Sequence, residues 1–280
     1  MKEVQGSILS SVGTVRNYEQ ALTRVAEYVK EERMGHLREI TPFQAVAYLE
    51  QRGEQVGQST LNMERQALQC MMKHVTNKLE PKQTLTVVKS ELAEITKARA
   101  YTPEQINAIT DRMTEKNVLP TQICHAAGLR AHEIHTLRPI GEVKPSDRPA
   151  HENKFSARNG ESYTVTGKGG LIREVLIPTE LATRLESHRM EKTERVTDRN
   201  VYYDRAYNIN GGQKLSDSFS AASRRALGFS HGIHGLRHTY AQDRMGELMR
   251  ESHLPYSDSK LIVSQELGHQ RPEITEVYLR

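Results

Sequence analysis

His234-Gly235-Leu236-Arg237-His238-Thr239-Tyr240 opens the last stretch of this chain, which closes with Leu267-Gly268-His269 and then Tyr278. A helix that only packs needs apolar residues every three or four positions, and it has no use for so many titratable groups. Two histidines, an arginine and a tyrosine at these spacings read as half of an active site. The other half has to come from upstream.

Working back from that stretch, helical patterns run from Pro178 to the end of the chain. Glu161–Thr166 and Ile172–Ile177 alternate in the strand manner, and Gly167-Lys168-Gly169-Gly170 joins them, which is a hairpin signature. Residues 138–159 hold Pro139, Gly141, Pro145 and Pro149 and read as loop or short irregular strand. Gln122–Leu137 is helical in pattern, interrupted by Gly128-Leu129-Arg130. Thr102-Pro103-Glu104-Gln105 is a helix start, with a capping Thr, Pro in the first turn and Gln three residues on.

The N-terminal part reads as a separate helical module. Tyr18, Leu22, Val25, Ala26 and Val29 place one amphipathic helix over roughly residues 14–34. Thr41-Pro42-Phe43-Gln44 repeats the capping signature and starts a helix carrying Phe43, Ala45, Val46 and Leu49, ended by Gly53. A third helix is expected from Ser59 to Lys78. Its basic residues, Arg65, Lys73, His74 and Lys78, suit either a solvated face or phosphate contacts. The Lys-bearing segment from Leu79 to Tyr101 reads as a connection, helical in part. The expected organisation is a helical domain over 1–92, a linker over 93–101 and a second domain over 102–280.

At 280 residues the chain is long enough for two cores, and its 39 Lys and Arg against 35 Asp and Glu make it mildly basic. That balance is compatible with a polyanionic partner such as nucleic acid. Cys70 and Cys124 form neither a C-x-x-C pair nor a disulfide framework, which suits a reducing compartment. No apolar run reaches membrane-spanning length and no signal-peptide core precedes the first helix. The expectation is a cytoplasmic, nucleoid-associated protein without membrane contact.

Three motifs fail on spacing. Gly167-Lys168 resembles the end of a phosphate-binding P-loop, but Ser162 and Gly169 stand where Gly and Ser or Thr are required. His132-Glu133-Ile134-His135 is one residue short of the zinc-protease motif. His231, His234 and His238 lack a Cys or carboxylate at matching spacing for zinc. Taken singly, Arg130 suits a surface ion pair, Lys168 a solvated turn and Tyr278 an anchor for the last helix. Together and in this order they suit something else.

The chain resembles the tyrosine recombinases of the phage-integrase family. Gly-Leu-Arg-x-x-Glu at 128–133 matches the first arginine box and Thr-Gly-Lys-Gly-Gly at 166–170 the lysine hairpin. His-x-Leu-Arg-His at 234–238 matches the second box, and Leu-Gly-His at 267–269 with Tyr278 matches the third. The resemblance implies a mainly α fold with a small β-sheet: an N-terminal helical core-binding (SAM-like) domain, and a catalytic domain of helices with a small antiparallel sheet or hairpin. It assigns Arg130, Lys168, His234, Arg237, His269 and Tyr278 to catalysis, with Glu133 supporting the first arginine, and it implies no cofactor and no metal.

The implied reaction is attack of a phenol on a DNA phosphodiester. Two guanidiniums can clamp the non-bridging oxygens as charge builds up, and each such donor is worth roughly 3–4 kcal/mol. With an ordinary pKa of about 10, a phenol is scarcely ionised at neutral pH, so a base is needed, and His234 is the candidate. Lys168 is the candidate acid for the leaving deoxyribose oxygen, and His269 a further donor. The product is a 3′-phosphotyrosine that a second DNA end can attack.

The implied activity is therefore site-specific recombination that integrates or excises a mobile element. A topoisomerase-like nicking-closing enzyme and a non-cleaving DNA-binding regulator are the alternatives. The expected partner is double-stranded DNA at a specific site, clamped by both domains, with Arg65, Lys73 and Lys78 as N-terminal contacts. The protein is expected to be a tetramer on DNA and a monomer or weak oligomer when free, with an accessory DNA-bending protein as a further candidate partner. Two departures from the family pattern stand out: extra residues over 247–260, expected as a loop or extended helix, and few residues after Tyr278. The second puts coupling of protomers through a C-terminal tail in question.

Overall fold

The three- and four-residue spacing of Leu22, Val25 and Val29 produces helix α1 (Val12–Glu31), whose buried face carries all three. In the computed structural model all residues except Met1, Ile95, Thr96, Lys168 and Gln270 are described. The chain divides into two units, Met1–Thr96 and Lys97–Arg280.

In the first unit, α1 packs with α2 (Pro42–Gly53) and α3 (Gln58–His74). The Thr41 hydroxyl accepts from Gln44 N at 3.2 Å and the Gln44 side chain accepts from Thr41 N at 2.8 Å, so α2 starts where its capping residues dictate. Phe43, expected on the apolar face of α2, is instead 83% exposed. It precedes Ala45 by two residues, about 200° round the helix, and so points away from the buried side. The third helix ends at His74, four residues earlier than expected, because the chain turns through Asn77 at φ 52°. Inside the unit the buried Glu64 accepts from Tyr48 Oη at 2.8 Å and from Arg52 at 3.1 Å, which neutralises an otherwise costly buried carboxylate.

Residues 79–91 are not a free connection. Leu79 and Leu85 are buried in the first unit's core, Gln58 donates to Val88 O at 3.0 Å, and Ser90 Oγ donates to Val56 O at 2.7 Å. No helix occurs there among the described residues.

The second unit is built from α4 (Pro103–Thr110), α5 (Glu115–Ala126), α6 (Thr179–Glu186), α7 (Gly212–Leu227), α8 (Gly235–Arg250) and α9 (Tyr256–Leu267). Thr102 and Gln105 cap α4 reciprocally, as Thr41 and Gln44 cap α2. A small antiparallel sheet runs in the order β1 (Arg138–Pro139), β2 (Glu161–Thr166), β3 (Ile172–Ile177), and β2 pairs with β3 from Glu161↔Ile177 to Thr166↔Ile172. The main core joins α4, α5, α7 and the sheet through residues such as Ile109, Ile123, Val165, Ile177 and Phe219. Each fully buried side chain of this kind contributes about 1.5–3 kcal/mol. A satellite core holds α8, α9 and the 3-10 turn Pro272–Tyr278 together through Ala241, Leu248, Ile262, Val263 and Leu267. Over 247–260 the extra residues continue α8 to Arg250 and begin α9 at Tyr256, with a short link between.

Contrary to what its sequence pattern predicts, the segment after Pro178 is not helical throughout. Arg189–Asp198 (β4) and Val201–Tyr207 (β5) form a second antiparallel hairpin. Most of β4 is exposed and only Met190 and Val196 in it are apolar, six residues apart, so neither strand nor helix periodicity marks it. Its turn uses Arg199 and Asn200 at φ 49° and 64°, the left-handed pair that a two-residue hairpin demands, with Asn as the only ordinary turn residue. No described helix is long and apolar enough to cross a membrane.

Candidate active site

His234 stands at the N-cap of helix α8 with its backbone already helical, and the helical repeat puts Arg237 and His238 on the same face one turn on. Two contacts fix this start. Thr239 Oγ1 accepts from Tyr101 N at 2.8 Å, and Gly235 sits so close to the 99–101 backbone that a Cβ there would lie 2.5 Å from Arg99 O. Glycine is required at that contact.

Arg237 is 0% exposed. Its guanidinium donates to the carbonyls of Gly128 and Leu267, and Nη2 lies 3.1 Å from His269 Nε2. Nε is buried without a partner among the described residues. Burial and the nearby Arg130 push its pKa down to about 10, while Glu133 opposes that shift. The two carbonyls it reaches both come from helix ends. Gly128 has φ 59° after α5, and a Cβ there would stand 2.8 Å from Leu267 Cδ2 and Tyr240 Cδ1. Gly268 closes α9 in the left-handed conformation at φ 70°, and His269 N donates back to Ser264 O at 2.9 Å.

The first box is held by Glu133, which is fully buried in a 3-10 turn (Ala131–Thr136). Its carboxylate accepts from Arg130 Nη1 and Arg130 N, both at 2.8 Å, and from Arg173 Nη2 at 2.7 Å. Burial alone would raise its pKa, but Arg173, Arg237 and Arg130 outweigh that and hold it at about 2.

Tyr278 ends the Pro272–Tyr278 turn and is 8% exposed. Its hydroxyl lies 3.1 Å from His234 Nε2. Its ring has its centroid 4.7 Å from that of His238, 5.1 Å from that of His269 and 5.5 Å from the Arg237 guanidinium carbon. Partial burial and the surrounding Arg237, His238 and Arg130 keep His234 well below the ordinary imidazole range. A neutral His234 can accept the phenol's hydrogen through Nε2 when its own hydrogen sits on Nδ1. Burial and the nearby Arg99 push His238 down to about 4. Burial, then Arg237, Arg130 and Arg173, push His269 down to about 3. A guanidinium has only hydrogens to offer, so His269 Nε2 accepts from Arg237 and its Nδ1–H donates to Thr275 Oγ1 at 2.9 Å.

The structure thus brings Arg130, Glu133, His234, Arg237, His269 and Tyr278 together. Lys168 lies outside the described residues; β2 and β3, which flank it in sequence, are paired antiparallel. In the first unit, Arg65 donates to Leu85 O at 3.1 Å, Lys73 to Pro81 O at 2.7 Å and Lys78 to Ile40 O at 3.4 Å. Lys78 falls beyond α3, not on it.

Solved structures share this fold. The XerH site-specific recombinase bound to palindromic difH substrate, a post-cleavage complex, matches at TM-score 0.60 and 15% identity over 95% of this chain and 76% of its own. The chain has the fold of a site-specific recombinase. The Tn1549 transposon integrase in complex with transposon right end DNA matches at TM-score 0.59 and 13% identity over 100% and 92%. A lambda integrase tetramer bound to a Holliday junction matches at 0.58 and 16% over 98% and 73%. Neither a protein-family model nor a curated sequence matches the chain.

Sequence reasoning missed three residues around this site. His238 packs on Tyr278, and its position four residues after His234 was the available signal. Arg173 alternates with the buried Val175 and Ile177 on the inward face of β3, where a charge has to be paired. Thr275 carried no signal, since its role depends on where a turn delivers its hydroxyl. Among the described residues no group of three or more His, Cys, Asp or Glu is placed to hold a metal ion.

Proposed function

We propose that the chain is a tyrosine recombinase of the phage-integrase family that cuts and rejoins DNA at a specific site, integrating or excising a mobile element. The observation that carries this reading is Tyr278, buried among cationic and imidazole groups with its hydroxyl 3.1 Å from His234 Nε2.

In the proposed step, Tyr278 Oη attacks the scissile phosphorus and its proton passes to His234 Nε2. The phosphorus–O5′ bond breaks, and Lys168, assigned by the Thr-Gly-Lys-Gly-Gly motif of the sequence, protonates the leaving oxygen. Arg130 and Arg237 hold the non-bridging oxygens as charge grows. His234 is depressed first by burial and then by neighbouring cations, and DNA phosphate offsets the second of these, which raises its basicity when substrate is present. His269 then takes the Nε2–H tautomer, with the Thr275 hydroxyl donating to Nδ1, and gives its hydrogen to the phosphate while Arg237 turns Nη2 to the same group. A second DNA end reverses the chemistry by attacking the 3′-phosphotyrosine.

The first unit is assigned the core-binding role over 1–92, with Arg65, Lys73 and Lys78 exchanging backbone carbonyls for DNA phosphates, and the catalytic domain spans 102–280. The working assembly is a tetramer on DNA, by likeness to the lambda integrase tetramer, acting at the nucleoid.

The test is covalent capture. The protein is incubated with a pool of nicked duplexes of randomised sequence, and SDS-resistant protein–DNA adducts are collected and their DNA read. Wild type should yield adducts with a shared site and Tyr278→Phe none. No adduct from wild type, or an equal yield from Tyr278→Phe, rejects the proposal.

A further inference from the structure

We infer that Arg173 is a positioning residue for the proposed cleavage, holding Arg130 and His269 in their working places through one guanidinium. This rests on the recombinase reading of the Tyr278 pocket. Arg173 is 6% exposed on the inward face of β3, in the strand that follows the lysine turn. Its two terminal nitrogens serve two different parts of the site: Nη2 donates to Glu133 Oε2 at 2.7 Å, and Nη1 donates to the Glu266 carbonyl at 2.9 Å.

At the first end, Glu133 is what Arg130 leans on, through the 2.8 Å bonds from Arg130 Nη1 and N. The carboxylate offers one oxygen to each guanidinium, so Arg173 fixes the plane that orients Arg130. Removing Arg173 leaves a buried carboxylate with less compensation and freedom to turn.

At the second end, the Glu266 carbonyl lies in the last turn of α9, where helical carbonyls lack intrahelical donors and a cation is favoured. The Gly268 turn that delivers His269 is moulded on the arginine's stem, since a Cβ at 268 would lie 2.5 Å from Arg173 Cδ. The Glu266 side chain is tied down in turn by Tyr240 Oη at 2.8 Å, Arg244 Nε at 3.2 Å and Phe155 N at 3.0 Å. Both terminal nitrogens of Arg173 donate to protein acceptors that bear on Arg130 and His269, and the residue acts through those two.

The test uses the full chain, the captured DNA site, and single-turnover adduct formation at saturating DNA. Misplacing reacting groups by about 1 Å costs on the order of 100-fold. Arg173→Met should therefore slow adduct formation about 100-fold, and Arg173→Lys, which keeps the charge but not the fork, at least about 10-fold. DNA affinity should stay within about twofold for both. Because Arg173 works through Arg130 as well as His269, Arg173→Met should cost clearly less in the Arg130→Ala background than in wild type. Arg173→Lys keeps the test readable if the Met variant does not melt cooperatively. Wild-type cleavage in Arg173→Lys, or losses that simply multiply with Arg130→Ala, overturns the inference. Absence of adduct from wild type is a different result and strikes the recombinase reading itself.

Discussion

The hydroxyl of Tyr278 lies 3.1 Å from Nε2 of His234, across 44 residues of sequence. Nothing in packing alone calls for that bond, and under the proposed mechanism it aims the phenol's proton at the imidazole. Replacing His234 by Gln should slow adduct formation by about 10²–10⁴-fold, the usual worth of a positioned base, and leave DNA binding intact. Raising the pH should partly rescue the variant, because hydroxide supplies the ionised phenol. Unchanged rates in His234→Gln across pH 7–9 would falsify the base assignment.

Arg237 ties the carbonyl after α5 to the carbonyl ending α9 while presenting a charge beneath Tyr278. A lysine has one nitrogen at its tip and cannot reach both carbonyls and a phosphate. Arg237→Lys is expected to lose about 10²–10³-fold in cleavage, as for removal of a transition-state donor. It should also lose about 1–3 kcal/mol in urea unfolding, from the unpaired carbonyls. Full cleavage activity in a folded Arg237→Lys protein would remove the clamp from the mechanism.

Much of this was legible in sequence because the chemistry constrains local pattern. Gly128 marks a left-handed turn against Tyr240 and Leu267, and His234, Arg237 and His238 share a helix face by spacing alone. The capping pairs Thr41–Gln44 and Thr102–Gln105 likewise announced their helices. The β4–β5 hairpin was illegible because a solvated two-stranded ribbon needs no alternation. Tyr203, which lays its ring against His135 at 5.4 Å, is fixed by a tertiary contact that no local window contains. Arg173 and Thr275 share that character, since their partners lie on other elements.

His238 is buried beside Tyr278 with a pKa pushed down to about 4 by burial and the nearby Arg99, against about 6.5 in an unfolded chain. Between those values the unfolded state binds more protons, so stability is present above pH 6.5 and is lost as pH falls toward 4. At pH 5 the loss from this residue alone is about 2 kcal/mol. Urea midpoints at pH 7.5 and 5 should therefore differ more in wild type than in His238→Gln. Equal pH dependence in the two proteins would show that His238 is not the buried neutral group described.

Thr275 is fully buried and its hydroxyl stands 2.9 Å from His269 Nδ1. That hydroxyl can accept from Nδ1–H in the free protein and donate to Nδ1 once His269 turns its hydrogen toward phosphate. Thr275→Val has nearly the same shape and does neither. Stranding a buried imidazole nitrogen should cost about 1–3 kcal/mol of stability. Cleavage should fall about 10-fold beyond any change in DNA affinity, while Thr275→Ser keeps both properties, because losing one hydrogen-bond partner costs a donor about that much. If Thr275→Val melts like wild type and cleaves at the wild-type rate, the tautomer exchange at His269 plays no part in the reaction.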